Sequence, residues 1–196
     1  MATPLTDTIE PEADTYDTDS ALGEDELATS STTSISSSIL KFREENGRTY
    51  HAYKEGKYLF PNDDGENDRL DLQHHLFSLT FDGALQLAPI ANKKGGIHKV
   101  LDVGTGTGIW AIDFADEHPE SHVLGVDLSP IQPSMVPPNV TFQVDDLEEP
   151  WSFGGEKFDF VYSRMMSGAI ADWPKLFQQS FEYASPHLFH TRMSPF

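Results

Sequence analysis

Eleven residues, Val100-Leu101-Asp102-Val103-Gly104-Thr105-Gly106-Thr107-Gly108-Ile109-Trp110, set glycine at every second position between two apolar segments. Lys99 to Val103 has the length and β-branched content of a buried strand. Trp110, Ile112, Phe114 and Ala115 continue beyond the glycines as a helix. Glycine lacks Cβ, so it takes positive φ and lets another group approach the backbone closely. A strand, a glycine turn and a helix open a doubly wound, Rossmann-like α/β sheet, whose ligand sits outside the carboxyl end of the strand.

Composition narrows the partners. A chain of 196 residues is about one domain, and its net charge of -19 argues against nucleic-acid binding and against an anionic membrane surface. No apolar run approaches the ~20 residues that span a bilayer, and the acidic, polar N-terminus is not a secretory signal. Without cysteine there is neither a disulfide framework nor thiolate chemistry, which fits an intracellular protein.

The glycine turn discriminates among ligands. A dinucleotide fingerprint would place a third small residue at position 109, where Ile109 stands, so an NAD-dependent oxidoreductase is disfavoured. A phosphate-binding loop would need Gly-Lys-Ser/Thr, and no lysine follows. What remains, an acid two residues before the first of three alternate glycines, resembles motif I of the class I S-adenosylmethionine-dependent methyltransferases. That cofactor carries no phosphate. It presents a sulfonium, an amino group, a carboxylate and a ribose diol, which suit Asp102 and the close backbone of Gly104, Thr105, Gly106 and Gly108. The alternative for the same turn is a tight connection without a ligand.

Taken in order, residues 1–38 carry acids without Lys or Arg, then a Ser/Thr run, and read as a disordered tail. Residues 39–97 read as a helical and lid segment. Ile39, Leu40 and Phe42 are expected to start a short helix ending at Asn46-Gly47. Arg48 to Pro61 crowds aromatics without helical period and reads as an ordered loop or lid, either shielding a sulfonium or packing on the surface. Asn62-Asp63-Asp64 caps a helix through Leu70, Leu72, His74, Leu76, Phe77 and Thr80. Adjacent His74 and His75 point in different directions on a helix and suggest no metal site.

Residues 98–184 read as the sheet domain. His122 to Leu128 is a second strand closed by Asp127, about twenty residues past the glycines, where a carboxylate accepts from ribose hydroxyls; Leu128 follows it. Val140 to Val144 is a third strand ending in Asp145 and Asp146, either of which could accept from an adenine amino group; Asp146 is preferred. Phe158 to Ser163 is a fourth strand, and Ser163 lies at its cleft end. Asp172 caps a helix with Pro174 in its first turn and an apolar stripe of Trp173, Leu176, Phe177 and Phe181. No residue pair identifies a catalytic base, so the catalytic residues stay unknown.

Several segments together carry a closer likeness: Asn46 to His51, Tyr58 to Asp63, Asp68 to His74, Leu101 to Trp110, Ser163 to Met166 and Asp172-Trp173-Pro174. In that order they resemble the fungal LaeA-like methyltransferases over roughly positions 39 to 182. The resemblance implies a class I fold, S-adenosyl-L-methionine as methyl donor, an unidentified acceptor, and a role in secondary metabolism in the nucleus with velvet-type protein partners. The family continues past the Trp173 helix into a Pro-Gly-Gly turn and three more strands. Residues 185–196 form an atypical tail without that turn, so the sheet is expected to lack its last strands and to leave the fourth as an exposed hydrophobic edge. The alternative function is a catalytically inactive, methyltransferase-like interaction protein.

Overall fold

The computed structural model describes residues 38–90 and 95–185; the N-terminal tail and residues 186–196, on which expectations were placed above, lie outside them. Its elements run β1 (Arg43–Glu45), β2 (Arg48–Tyr50), α1 (Asp64–Thr80), β3 (Lys99–Val103), α2 (Ile109–Glu117), β4 (His122–Asp127), β5 (Val140–Val144), β6 (Phe160–Ser163) and α3 (Trp173–Tyr183).

The central sheet is parallel in the order β5-β4-β3-β6. Val103 pairs with Val126 and Ser163, and Asp127 with Val144, so all four strands end on one rim. The chain runs outward from β3 to β5 and then returns to β6 on the other side. That reversal opens a crevice between the ends of β3 and β6, where ligands of such sheets bind.

Strand side chains alternate between faces. Val100, Val123 and Phe160 join Trp110, Ala111, Phe114 and Ala115 of α2 in one core cluster. Leu101, Val103, Val126 and Val161 join Leu176 of α3 and Trp151 in the other. Both faces of β3 are therefore apolar, as a parallel sheet covered on two sides requires. Phe114 is fully buried, and truncating such a ring to Ala costs about 3–5 kcal/mol.

Three expectations need correction. Residues 43–50 are an antiparallel hairpin, Arg43 facing Tyr50, rather than a helix. Asn46 and Gly47, at φ 52° and 76°, are its two turn residues; Asn-Gly with both φ positive matches the twist of the flanking strands. On α1 the leucines do not form a buried stripe: Leu72 and Leu76 are exposed, and Glu66 and His74 point inward. On α3 the buried residues are Leu176, Gln179 and Ser180, while Phe181 is 69% exposed. Gln179 faces inward because its Oε1 accepts the Trp151 backbone N–H at 2.9 Å.

Both helix caps follow the sequence. Asp63 accepts from the Glu66 N–H at 3.0 Å and is ion-paired with Arg48, and Asp172 accepts from the Lys175 N–H at 3.0 Å.

As expected, β6 stands at the outer edge of the described sheet. Its Phe160 and Val161 are buried on opposite faces, so the faces of the strand are covered even though its outer edge is paired only at Phe158 among the described residues. The chain leaving α3 returns beside it: Phe158 N–H donates to Tyr183 O at 2.8 Å and Ser185 N–H to Phe158 O at 2.7 Å, a parallel bridge. Among the described residues, no helix is long and apolar enough to cross a membrane.

Candidate functional site

The glycine turn is held from the neighbouring strand. Gly104 and Thr105 both donate their N–H to Val126 O, at 2.9 and 3.1 Å. Asp127, one residue on, accepts the Gly106 N–H on Oδ2 at 2.9 Å and the Ser129 N–H on Oδ1 at 3.0 Å. Thr105 Oγ1 donates to Asp102 Oδ2 at 2.6 Å. Two glycines here are held by positive φ, and a side chain at either would also meet a neighbour, the flexible end of Met166 or the rigid ring of Phe142. Gly104 (φ 74°) would place a Cβ 2.2 Å from Met166 Sδ, and Gly108 (φ 83°) would place one 2.4 Å from Phe142 Cζ.

Residues 57–62 and the start of α1 roof the rim. Beneath them lies a cavity whose empty space, counted to its open mouth, is about 820 Å³. Lys57, Tyr58, Asn62 and Glu66 line it from above; Gly104, Gly106, Asp127, Leu128 and Asp146 line it from the sheet. A second cavity, about 450 Å³, continues between α1 and the ends of β3 and β6. It is lined by Gln73, Asp102, Gly104, Thr105, Gly106, Tyr162 and Arg164, among others. Gly104, Gly106, Arg164 and Met165 border both. Met165 sits at φ 59°, a left-handed conformation uncommon for a residue with a side chain.

Charge in this crevice is only partly compensated. Asp102 is 3% exposed, and burial pushes its carboxyl up to about 7 against the pull of the Thr105 hydroxyl and the Arg164 charge. Burial likewise raises Asp127, against its backbone N–H donors. Tyr58 is pushed up to about 12 by burial and by the Asp127 charge. Lys57 of the lid is ion-paired with buried Asp146 and lies 3.4 Å from Glu148. Burial pulls the Lys57 ammonium down, yet these acids outweigh it and hold it above its usual value.

Two buried acceptors lie near this crevice. Asn62 Nδ2 donates to Ser129 Oγ at 3.3 Å, while its buried Oδ1 has no partner. His74 takes a fixed tautomer: Arg164 Nη2 donates to its Nδ1 at 2.9 Å, so its Nε2–H donates to Asp113 Oδ2 at 2.9 Å.

Seven of the ten residues expected at the site border the two cavities: Asp102, Gly104, Thr105, Gly106, Asp127, Leu128 and Asp146. Gly108, Asp145 and Ser163 border neither. Gly108 is the N-terminal cap of α2 against Phe142; Asp145 accepts from Gln143 and from the Asp146 N–H; Ser163 gives way to its neighbour Arg164. Of the lid aromatics, Tyr58 borders the cavity and Phe60, 49% exposed, packs tilted against it at 5.5 Å. Lys57, Asn62, Glu66 and Arg164 are not among the residues expected at the site, although Arg164 belongs to the Ser163–Met166 segment that follows the fourth strand at the cleft, and Asn62 to the cap of α1. Except for Glu66, paired with Arg69 three residues on, their partners lie 67 to 90 residues away, beyond any local spacing. Among the described residues no group of three or more His, Asp or Glu could hold a metal ion.

Residues 72–190 match the family model described as a methyltransferase domain. Methyltransferase pytC of Aspergillus terreus is 47% identical over 158 residues, 80% of this chain and 48% of pytC. Secondary metabolism regulator laeA of Aspergillus flavus is 44% identical over 155 residues, 78% of this chain and 41% of laeA. The chain thus spans about half the length, or less, of the curated relatives it matches. Among solved structures, a chain of the complex between the Haloferax volcanii Trm112 methyltransferase activator and a methyltransferase aligns with TM-score 0.52 at 22% identity. That alignment covers 64% of this chain and 54% of the other; the likeness is one of fold.

Proposed function

Because this chain belongs to the LaeA-like class I methyltransferases, we propose that its crevice binds S-adenosyl-L-methionine and that the protein transfers a methyl group to an acceptor yet to be identified. The observation that carries this reading is the match between the crevice and a cation. Asp102 is a buried acid with no ion-pair partner among the described residues, directly below the glycine turn. A buried carboxylate without a cation is costly, and a bound ammonium beside it removes that cost.

The remaining lining fits the rest of the molecule. Asp127 keeps acceptor capacity beyond its two backbone donors, since a carboxylate offers about four lone-pair sites, and so serves a ribose diol. The unpartnered Oδ1 of Asn62 is an acceptor for a further donor at the same end. Asp146 lies at the adenine end, held by Lys57. When bound, the cofactor supplies an electrophilic methyl group on sulfur. The chain orients it by these contacts, and the lid over residues 57–62 excludes water, so catalysis is largely positioning and desolvation.

By likeness to laeA, named a secondary metabolism regulator, we propose a regulatory role for the methylation, in the nucleus or cytoplasm, with a velvet-type protein as partner. Titration calorimetry with S-adenosylhomocysteine tests the binding, and labelled methyl transfer to a panel of acceptors tests the activity. No heat at millimolar ligand refutes the cofactor; binding without transfer to any acceptor favours a non-catalytic interaction protein.

A further inference from the structure

We infer that Arg164 is the anchor for the ligand's carboxylate, and that His74, braced by Asp113, is the positioning residue that aims it. This rests on the cofactor reading above and assigns the end of the crevice that reading leaves unassigned.

Arg164 follows β6 directly and borders both cavities. It is the only cation lining the second cavity, among the described residues. Lys57, the other cation of the crevice, is committed to Asp146 and Glu148. No carboxylate lies within ion-pair distance of Arg164 among the described residues. The groups it touches are neutral: His74 Nδ1 at 2.9 Å, the Phe77 ring, whose centroid is 4.7 Å from Cζ, and the Tyr162 hydroxyl, with which it shares a hydrogen bond.

Guanidinium carries five N–H donors in a fixed fork that matches a carboxylate bidentately. One donor goes to His74 and one to the Tyr162 hydroxyl, and the face of the group rests on Phe77. The fork is thereby oriented while most of its donors stay available. Asp102 lines the same cavity. An acid and a cation on the walls of one small cavity, each without a partner of opposite charge in contact, are complementary to an α-amino acid zwitterion.

His74 can hold Arg164 only as an acceptor at Nδ1. The Asp113 carboxylate enforces that by taking the proton on Nε2 at 2.9 Å. Two helices and the end of β6 are thus tied by one relay: α2 through Asp113, α1 through His74, β6 through Arg164.

The test compares S-adenosylmethionine with its decarboxylated analogue, which keeps the ammonium and the sulfonium and loses only the carboxylate. In the wild-type chain the intact molecule is expected to bind about 10- to 100-fold more tightly than the analogue, the range for hydrogen bonds to a charged group. In Arg164→Met that preference falls to within about 2-fold, with the change in the intact ligand's affinity. His74→Gln and Asp113→Asn lower the preference without abolishing binding of the analogue; Asp113 is 44% exposed, so its variant keeps the inference testable if His74→Gln fails to fold. A preference unchanged in Arg164→Met overturns the anchor, and one lowered there but unchanged in Asp113→Asn overturns the positioning role. Failure of the wild type to bind either ligand overturns the cofactor reading itself.

Discussion

Replacing Asp102 by Asn should strengthen the unliganded fold while weakening its hold on ligand, and the two effects should depend on pH in a defined way. Burial pushes the Asp102 carboxyl up to about 7, against about 3.9 in an unfolded chain. A group raised in the folded state contributes stability that is complete below its unfolded value and is lost as pH rises through its folded one. The cost of carrying the charge grows across that interval, to about 1–2 kcal/mol at pH 5 and about 4 kcal/mol at pH 8. Asn carries no charge, and its amide oxygen still accepts the Thr105 hydroxyl. Asp102→Asn should therefore gain about 1–2 kcal/mol at pH 5 and about 2–4 kcal/mol at pH 8. Urea unfolding of both proteins at several pH values gives the comparison. Subtracting one from the other removes groups they share, including His74, whose buried imidazole is held below its usual value chiefly by burial. Binding of S-adenosylmethionine should fall by about 1.5–3 kcal/mol in the variant, the worth of a hydrogen bond to a charge. The wild type should release a fraction of a proton on binding at pH 7, read by calorimetry in buffers of different ionisation enthalpy. Stability profiles that run parallel from pH 5 to 8 would refute the reasoning, as would an Asp102→Asn protein less stable than wild type at pH 8.

Gly108→Ala should cost at least about 2 kcal/mol in chemical unfolding, because it combines φ 83° with a Cβ 2.4 Å from the rigid ring of Phe142; a change under 0.5 kcal/mol would sink that account. Asp127→Ala is expected to weaken S-adenosylhomocysteine by about 1–3 kcal/mol, with Asp127→Asn retaining part of the affinity by calorimetry. Lys57→Met leaves Asp146 buried beside the lid without its cation and should speed proteolytic cleavage near Gly56; an unchanged cleavage rate would show that the ion pair does not hold the lid. Asp63→Ala removes both the α1 cap and the Arg48 pair, so the melting temperature should drop. The carboxyl of Asp63 is held down to about 2, chiefly by its hydrogen bond from Arg48, so this contribution is present above about pH 4 and fades as pH falls through 2.

Local chemistry made the sheet readable. The run Lys99–Val103, the glycines and the acid at 127 each encode their role within a few residues, and strand order follows once β3 is set between β4 and β6. Asn46-Gly47 carries two meanings, helix end and hairpin turn, and only the pairing of Arg43 with Tyr50 chooses between them. The α1 leucines show the same limit from the other side. Spacing marks an amphipathic helix, but the inward face was taken by Glu66 and His74 because each finds a charged partner there, Arg69 and Arg164 respectively. Arg164 and Lys57 are surface residues by composition. Only the folded chain brings Lys57 to Asp146 and sets Arg164 on the wall of the cavity that Asp102 also lines.

The indole of Trp110 lies 3.7 Å from the ring of Tyr162, the two planes only 6° apart, with its N–H donated to Leu85 O. Both rings border the second cavity, whereas the other two tryptophans of the chain, Trp151 and Trp173, pack in the opposite core layer. The protein thereby carries its own optical gauge: with Trp151 and Trp173 replaced by Phe, a change in Trp110 emission on titration with ligand is the expected sign that the chamber fills, without any label attached.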